Sequence, residues 1–186
     1  MSVYYASQTT YRGGSLMCMS ASLHWLVAVL HLGYAPIMPR DTMDRVMRAA
    51  ATAHARACAS TACVTESGML HSDELLRYTG LPAGMAARAV PGHVMDAVDA
   101  GFGETMHIDS ISSQLTDCSR GLLVTACDHC VALVRCAGEV CMFDPLPASV
   151  ACMPLAAHDV RQALTQALGR IDEFDCLVVR QEKTVA

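Results

Sequence analysis

The chain has 186 residues, 53% of them apolar and 17% charged, and its formal net charge is −5. This much apolar material excludes a disordered chain, and the length predicts one domain over residues 1–186. No run of Lys or Arg offers a stripe for phosphates, so a nucleic-acid partner is not expected.

The N-terminal segment, MSVYYASQTTYRGG, is polar and is predicted to be extended. It lacks the basic and apolar regions of a signal peptide. The most apolar stretch, residues 23–32, contains His24 and His31 and reaches about half of the ~20 residues that a membrane-spanning helix needs. We therefore expect a soluble protein without a membrane partner. Its ten cysteines are expected to be mostly free thiols in the core, as in a reducing compartment.

The first half of the chain shows helical patterns. Ser15 is a suitable cap for a helix over residues 16–32, whose apolar side chains recur at intervals of three and four. Asp41 is a suitable cap for a second helix, and Ser72 for a short third helix over residues 73–79. These patterns predict a helical N-terminal half.

The second half changes character and shows the apolar, β-branched patterns of strands. A hairpin is predicted around Ala137-Gly138, and a helix over residues 158–168 precedes the last strand. The predicted strands cover residues 105–111, 122–127, 131–136, 139–143 and 174–181. A helical half followed by an antiparallel sheet predicts an α+β fold.

Cys18 lies in the first turn of the first predicted helix. The N-terminus of a helix supplies partial positive charge and free N–H groups, both of which favour a thiolate over a thiol. A cysteine in an apolar helix is nevertheless most often a core residue. A nucleophilic role also requires an imidazole base and a carboxylate that orients it.

The predicted hairpin can supply both of these groups. If its loop has two residues, Leu133 faces Met142, and His129 projects from the same face of the sheet as Asp144. The two are then diagonal neighbours, whose Cβ atoms typically lie ~7–8 Å apart, within reach of a hydrogen bond between their side chains. The sequence thus predicts a Cys18–His129–Asp144 arrangement.

An oxyanion produced by attack of a thiolate needs a hydrogen-bond donor near the nucleophile. Gln8 lies ten residues before Cys18, on the approach to the helix. Its amide, together with the backbone N–H of Cys18, is predicted to fill this role. Each residue alone is unremarkable in type, but the order Gln, Cys, His, Asp at a helix start, a strand start and a strand end is specific.

The segments QTTYRGGSLMCMSASLHWLV and RGLLVTACDHCVALVRCAGEVCMFDPL resemble the two motifs of the deubiquitinase domain of herpesvirus large tegument proteins. The C-terminal RIDEFDCLVVRQ resembles the closing strand of that family. The resemblance implies a papain-like cysteine protease fold and cleavage of isopeptide bonds at the C-terminus of ubiquitin or a ubiquitin-like modifier. It also implies a place in the virion tegument and in the host cytoplasm and nucleus, with other tegument proteins as further partners. Neither a cofactor nor a metal is implied.

The resemblance matches Cys18 to the nucleophile of the family, Gln8 to its oxyanion residue and Asp144 to its Asp. One position departs from the pattern, because Leu146 stands where the family has its catalytic His. Two interpretations follow. Either His129 supplies the imidazole from the neighbouring strand, or the domain is catalytically inactive and binds ubiquitin or a tegument or host partner.

A zinc or redox protein is the third interpretation, suggested by Cys127-Asp128-His129-Cys130. A redox motif of this spacing should open a helix, whereas these residues lead into a strand. A zinc site needs two further ligands, and Cys136 and Cys141 are the nearest candidates. Strand alternation places Cys130 and Cys136 on the face opposite His129, so no metal is expected.

Overall fold

An eight-stranded sheet organises the part of the chain that the computed structural model describes, namely residues 2–11, 17–59, 76, 80–93, 106–126, 128–169, 171 and 173–182. Its strands run in the order β1-β7-β6-β5-β4-β8-β2-β3, and all neighbours are antiparallel except β2 and β3. The strands are β1 Ser2–Tyr4, β2 Met85–His93, β3 Met106–His107, β4 Arg120–Ala126, β5 His129–Cys136, β6 Glu139–Asp144, β7 Ser149–Pro154 and β8 Glu173–Gln181.

Helices cover both faces of this sheet. One core packs the first two helices against alternate residues of β4–β7, and a second core packs the last helix against the other face. This arrangement confirms the predicted α+β fold, in which a helical first half packs on a C-terminal sheet. The helices are α1 Cys18–Leu30, α2 Arg40–Cys58, α3 Ile111–Gln114 and α4 Ala157–Leu168, and 3₁₀ turns cover Gln8–Thr10 and Ile108–Ser110.

The hairpin between β5 and β6 has the predicted two-residue loop. Ala137 and Gly138 have φ angles of 51° and 87°, the left-handed values that a tight hairpin turn of this kind requires. Leu133 pairs with Met142, as predicted. Continuing this ladder by one pair places Val131 opposite Asp144. Asp144 therefore lies on the same face of the sheet as Val131 and His129.

The start of α1 differs from the prediction. The helix begins at Cys18 with Met17 as its N-cap, which makes no side-chain capping hydrogen bond, and Ser15 lies outside the described residues. Likewise α2 begins one residue before Asp41, with Pro39 as its N-cap. The predicted third helix lies outside the described residues except for Leu76, which is helical and accepts a hydrogen bond from the Gly80 N–H at 2.9 Å.

The strand predicted over residues 105–111 was wrong beyond His107. The imidazole of His107 accepts a hydrogen bond from the Asp109 N–H, and Ser110 donates its hydroxyl proton to the His107 carbonyl at 2.6 Å. These local bonds turn the backbone into the 3₁₀ turn and α3, because a side chain that bonds to nearby backbone competes with a sheet ladder. Strands β1, β2 and β7 were not predicted.

Close packing fixes α1 against the sheet. A Cβ atom built on Gly121 of β4 would lie 2.3 Å from Leu26 Cδ1 and 3.0 Å from the Leu133 carbonyl, so only glycine allows this approach. Trp25 stacks on Phe143 of β6 with ring centroids 5.4 Å apart, and both side chains are buried. The first turn of α1 is thereby held near the ends of β5 and β6.

Three of the described cysteines differ from the expectation that most are thiols of the core. Cys141 and Cys152 form a disulfide, because the β6–β7 register places them directly opposite each other. Cys118 is exposed. Among the other described cysteines, which are outside this disulfide, Cys18, Cys130 and Cys176 are buried and Cys58 and Cys136 are half-buried. Cys63 and Cys127 lie outside the described residues.

Within the described ranges, none of the helices combines the length and the apolar character that crossing a bilayer would require.

Candidate active site

Cys18 is the first residue of α1, and its thiol points toward the start of β5. The side chain is buried, and its sulfur lies 4.0 Å from the carbonyl oxygen of Asp128. The N–H groups of the first helical turn have no partners within the helix, so their partial positive charge is directed at this region. The prediction that Cys18 lies in the first turn of a helix is confirmed.

Ser22 explains why α1 keeps this position along β5. One turn after Cys18, the buried hydroxyl of Ser22 donates to the Cys130 carbonyl at 3.0 Å. Four residues of helix advance about 6 Å, and the two residues from Asp128 to Cys130 advance about 6.6 Å along a strand. The two contacts therefore match in spacing and fix the distance between the thiol and the start of β5. Sequence analysis missed Ser22, although its spacing of four from Cys18 was visible.

His129 and Asp144 form a close pair across the hairpin. The Nε2 atom of His129 lies 2.8 Å from Asp144 Oδ1, and the two side chains are only 13% and 11% exposed. The predicted geometry between these two residues is thus observed, and it depends on the two-residue loop. A carboxylate at this place accepts from Nε2, so a neutral ring that donates this bond carries its proton on Nε2 and leaves Nδ1 free for another partner.

The thiol of Cys18 lies close enough to this ring to influence its pKa. Burial by itself lowers the pKa of His129, but side-chain hydrogen bonds to Asp144 and Cys18 and the negative charges of both raise it to about 9. Because Nε2 faces Asp144, Nδ1 is the ring nitrogen that remains for Cys18. The turn that brings the ring there is made at Asp128, whose φ of 64° redirects the chain immediately before β5.

Asp144 is also held in place by the turn that follows β6. Its Oδ1 also accepts a hydrogen bond from the Leu146 N–H at 3.1 Å. Leu146 itself is 44% exposed, and its side chain has no group that can accept a proton. The imidazole of this site therefore comes from β5, as the first of the two interpretations of Leu146 requires.

Gln8 is buried and lies beside the same strand end. The chain before it follows the β6–β7 connection, with the Tyr5 N–H bonded to the Ala148 carbonyl at 2.7 Å and the Ser7 hydroxyl to the Leu146 carbonyl at 2.5 Å. The Gln8 N–H bonds to the Pro145 carbonyl at 3.3 Å, next to Asp144. The pairing of β1 with β7 thus brings Gln8 to the end of the sheet that carries the other three residues.

The zinc interpretation gains no support from the side chains in the described ranges, where no three His, Cys, Asp or Glu residues are grouped as metal ligands. Cys141 is bonded to Cys152. Burial raises the pKa of the Cys130 thiol far above its ordinary value, which disfavours the thiolate that a metal would need. Cys127 lies outside the described residues.

Solved structures share this fold. The ubiquitin-specific protease encoded by tegument protein M48 of murine cytomegalovirus, in complex with a ubiquitin-based suicide substrate, superposes with a TM-score of 0.76 at 19% identity, covering 100% of this chain and 88% of that one. The Pseudomonas avirulence protein AvrPphB gives a TM-score of 0.50 at 13% identity, covering 95% and 96% of the two chains. No protein-family profile and no curated protein sequence matches the chain.

These similarities confirm the predicted fold class. The chain has the α+β, papain-like fold of cysteine proteases, and it resembles the herpesvirus tegument deubiquitinase in fold. In M48 that fold belongs to a ubiquitin-specific protease.

Proposed function

We propose that the chain is a cysteine protease that hydrolyses the bond after the C-terminal glycine of ubiquitin or of a ubiquitin-like modifier. The observation that carries this proposal is the His129–Asp144 pair, joined at 2.8 Å, beside the buried thiol of Cys18, whose sulfur lies 4.0 Å from the carbonyl oxygen of the residue before His129. A cysteine that only fills space in the core does not need an imidazole beside it. A nucleophilic thiol needs an imidazole or another base to activate it.

In the first step, His129 takes the proton of the Cys18 thiol on Nδ1. A pKa of about 9 keeps the imidazolium protonated at neutral pH, and its positive charge stabilises the thiolate. Asp144 accepts from Nε2 throughout, which fixes the ring orientation and stabilises the imidazolium. The thiolate then attacks the glycine carbonyl, forming a C–S bond and a tetrahedral oxyanion.

In the second step, the oxyanion collapses and the C–N bond to the leaving amine breaks. His129 gives its proton to the leaving nitrogen, and a thioester on Cys18 remains. Water, deprotonated by His129, hydrolyses the thioester and returns the thiol. We propose Gln8 as the side-chain donor to the oxyanion, because its backbone is bonded at the strand end next to Asp144.

Access to the sulfur is part of this proposal. Cys18 is buried, so the carbonyl of a substrate can reach it only when groups that cover the thiol move aside. A flexible, extended C-terminal tail is a suitable substrate, since a narrow chain needs less room than a folded surface. The likeness to M48, whose structure holds a ubiquitin-based substrate, supports ubiquitin as the modifier.

The same likeness supports the proposed surroundings of the protein. M48 is a tegument protein. We therefore propose the virion tegument, followed by the host cytoplasm and nucleus, as the places of action, with other tegument proteins as further partners.

A ubiquitin probe with a C-terminal electrophile tests the proposal. Wild-type protein should gain the mass of one ubiquitin, and Cys18→Ala should gain none. Cys118→Ser is the matched control, because Cys118 is a free but exposed cysteine, and this variant should label like the wild type. Absence of labelling in the wild type, with or without ubiquitin binding, would instead identify a catalytically inactive module. Labelling that persists in Cys18→Ala would also contradict the proposal.

A further inference from the structure

Three arginines line one small cavity at the end of the sheet that lies away from Cys18. Arg88 of β2, Arg120 of β4 and Arg180 of β8 surround a cavity of about 150 Å³, together with Gln114 of α3. Ala86, Ala87 and Val178 form its apolar part, and none of these described lining residues is acidic. Three of the 13 Lys and Arg residues of an acidic chain thus meet at one place.

The register of the strands puts these arginines on one face. Arg120 and Arg180 are directly opposite each other in the β4–β8 ladder. Arg88 is opposite Val178, two residues before Arg180, which makes Arg88 and Arg180 diagonal neighbours. Like charges directly opposite in a sheet destabilise it. A bound anion would attract both Arg120 and Arg180 and so offset the repulsion between them.

The cavity is separate from the Cys18–His129–Asp144 site. Arg120 begins β4, and Ala126 at the other end of β4 pairs with His129. Six residues of strand span roughly 20 Å. A ligand in the cavity would therefore not touch the proposed catalytic groups.

We infer that this cavity binds a phosphate group. Its volume is below the range of roughly 300–1,000 Å³ that holds drug-sized ligands, so it suits a compact anion. Arginine guanidiniums bind the tetrahedral oxygens of phosphate by paired N–H donors, and the dianionic charge matches the two directly opposed cations of Arg120 and Arg180. One guanidinium is already oriented, because Arg120 Nη1 donates to the Gln114 carbonyl at 3.2 Å.

Amide NMR titration tests this inference with two probes, inorganic phosphate and O-phosphoserine, at constant ionic strength and with acetate as the competing anion. Both phosphates should shift amides at the Arg88, Arg120 and Arg180 ends of their strands, and acetate should not. Arg180→Gln should weaken the binding of both about tenfold or more, since it removes charged hydrogen bonds. Arg120→Gln should weaken both probes similarly and gives a second, independent variant.

Arg56→Gln is the matched control, because it makes the same charge change on the exposed end of α2, and it should bind as tightly as the wild type. Unliganded Arg180→Gln should be at least as stable as the wild type, since the change removes the repulsion from Arg120. Binding that Arg180→Gln leaves intact, shifts that map elsewhere, or an equal response to acetate would overturn the inference.

Discussion

Asp144→Asn separates the charge of Asp144 from its hydrogen bonding. One oxygen, Oδ1, accepts both of its bonds, from His129 Nε2 at 2.8 Å and from the Leu146 N–H at 3.1 Å. An Asn side chain has the same shape, and its amide oxygen can accept both bonds. The substitution therefore removes the negative charge and keeps the acceptor.

The size of the effect follows from the burial of the pair. With the side chains of His129 and Asp144 13% and 11% exposed, solvent and salt screen their interaction only weakly. A hydrogen bond to a charged group contributes about 1.5–3 kcal/mol, and the neutral amide keeps part of this. We expect Asn to lower the pKa of His129 by about one unit from its value of about 9. The same loss of stabilisation of the imidazolium, about 1.4 kcal/mol for one pKa unit, should lower kcat/KM at neutral pH about tenfold if it is felt in the transition state. Asp144→Ala, which also removes the acceptor, should lower kcat/KM by roughly 10- to 150-fold.

The assay is the pH profile of kcat/KM on a fluorogenic ubiquitin substrate, together with an NMR titration of the His129 ring. In the wild type the alkaline limb should fall near pH 9, where the imidazolium loses its proton. In Asp144→Asn both the limb and the ring titration should move down by about one unit. An alkaline limb and a ring pKa that Asn leaves unchanged would refute the assignment of Asp144 as the partner that raises the pKa of His129.

Three further predictions concern stability. Ser22→Ala should lower the free energy of unfolding by about 1–2 kcal/mol in urea titrations, because a buried hydrogen bond is lost. The control Ser113→Ala, which removes an exposed hydroxyl, should change the free energy of unfolding by less than about 0.5 kcal/mol. Equal effects of the two substitutions would contradict the account. Phe143→Ala should cost about 3–5 kcal/mol, because it empties the space beneath the Trp25 stack; a cost under about 1 kcal/mol would show that this stack does not hold α1. The raised pKa of His129 contributes stability that is complete below about pH 6.5 and is lost as pH rises through about 9. The free energy of unfolding should decline by about 3 kcal/mol over this range, and Asp144→Asn should reduce the decline. A decline that this variant leaves unchanged would contradict the prediction.

The His129–Asp144 pair could be predicted because it depends only on local rules. A two-residue turn at Ala137-Gly138 fixes the register of the hairpin, and strand alternation then fixes which side chains share a face. The position of Cys18 likewise follows from a pattern within one helix. These relations use short stretches of chain, in which local preferences decide the geometry.

What could not be predicted depends on pairing between distant segments. β2 contains Pro91 and Gly92, which are poor strand formers, and its conformation comes from its ladder with β8. The Cys141–Cys152 disulfide and the cavity of three arginines arise in the same way, because each joins residues of different strands whose register the sequence does not reveal. A search for runs of basic residues passes over such a cavity.

The position of Leu146 shows how a site can keep its geometry when a residue type changes. Leu146 and His129 would be opposite if the ladder between β5 and β6 continued past Asp144. An imidazole on either strand therefore lies near the same carboxylate. In this chain the backbone N–H of Leu146 bonds to Asp144, while His129 supplies the ring.

Replacement of His129 tests most directly the claim that its imidazole activates Cys18. With a fluorogenic ubiquitin substrate, His129→Ala should lower kcat/KM by at least about 100-fold, because the thiol loses both its base and the cation that stabilises its thiolate. His158→Ala, which removes an exposed imidazole at the start of α4, should keep the activity of the wild type. Full hydrolysis by His129→Ala would contradict the account.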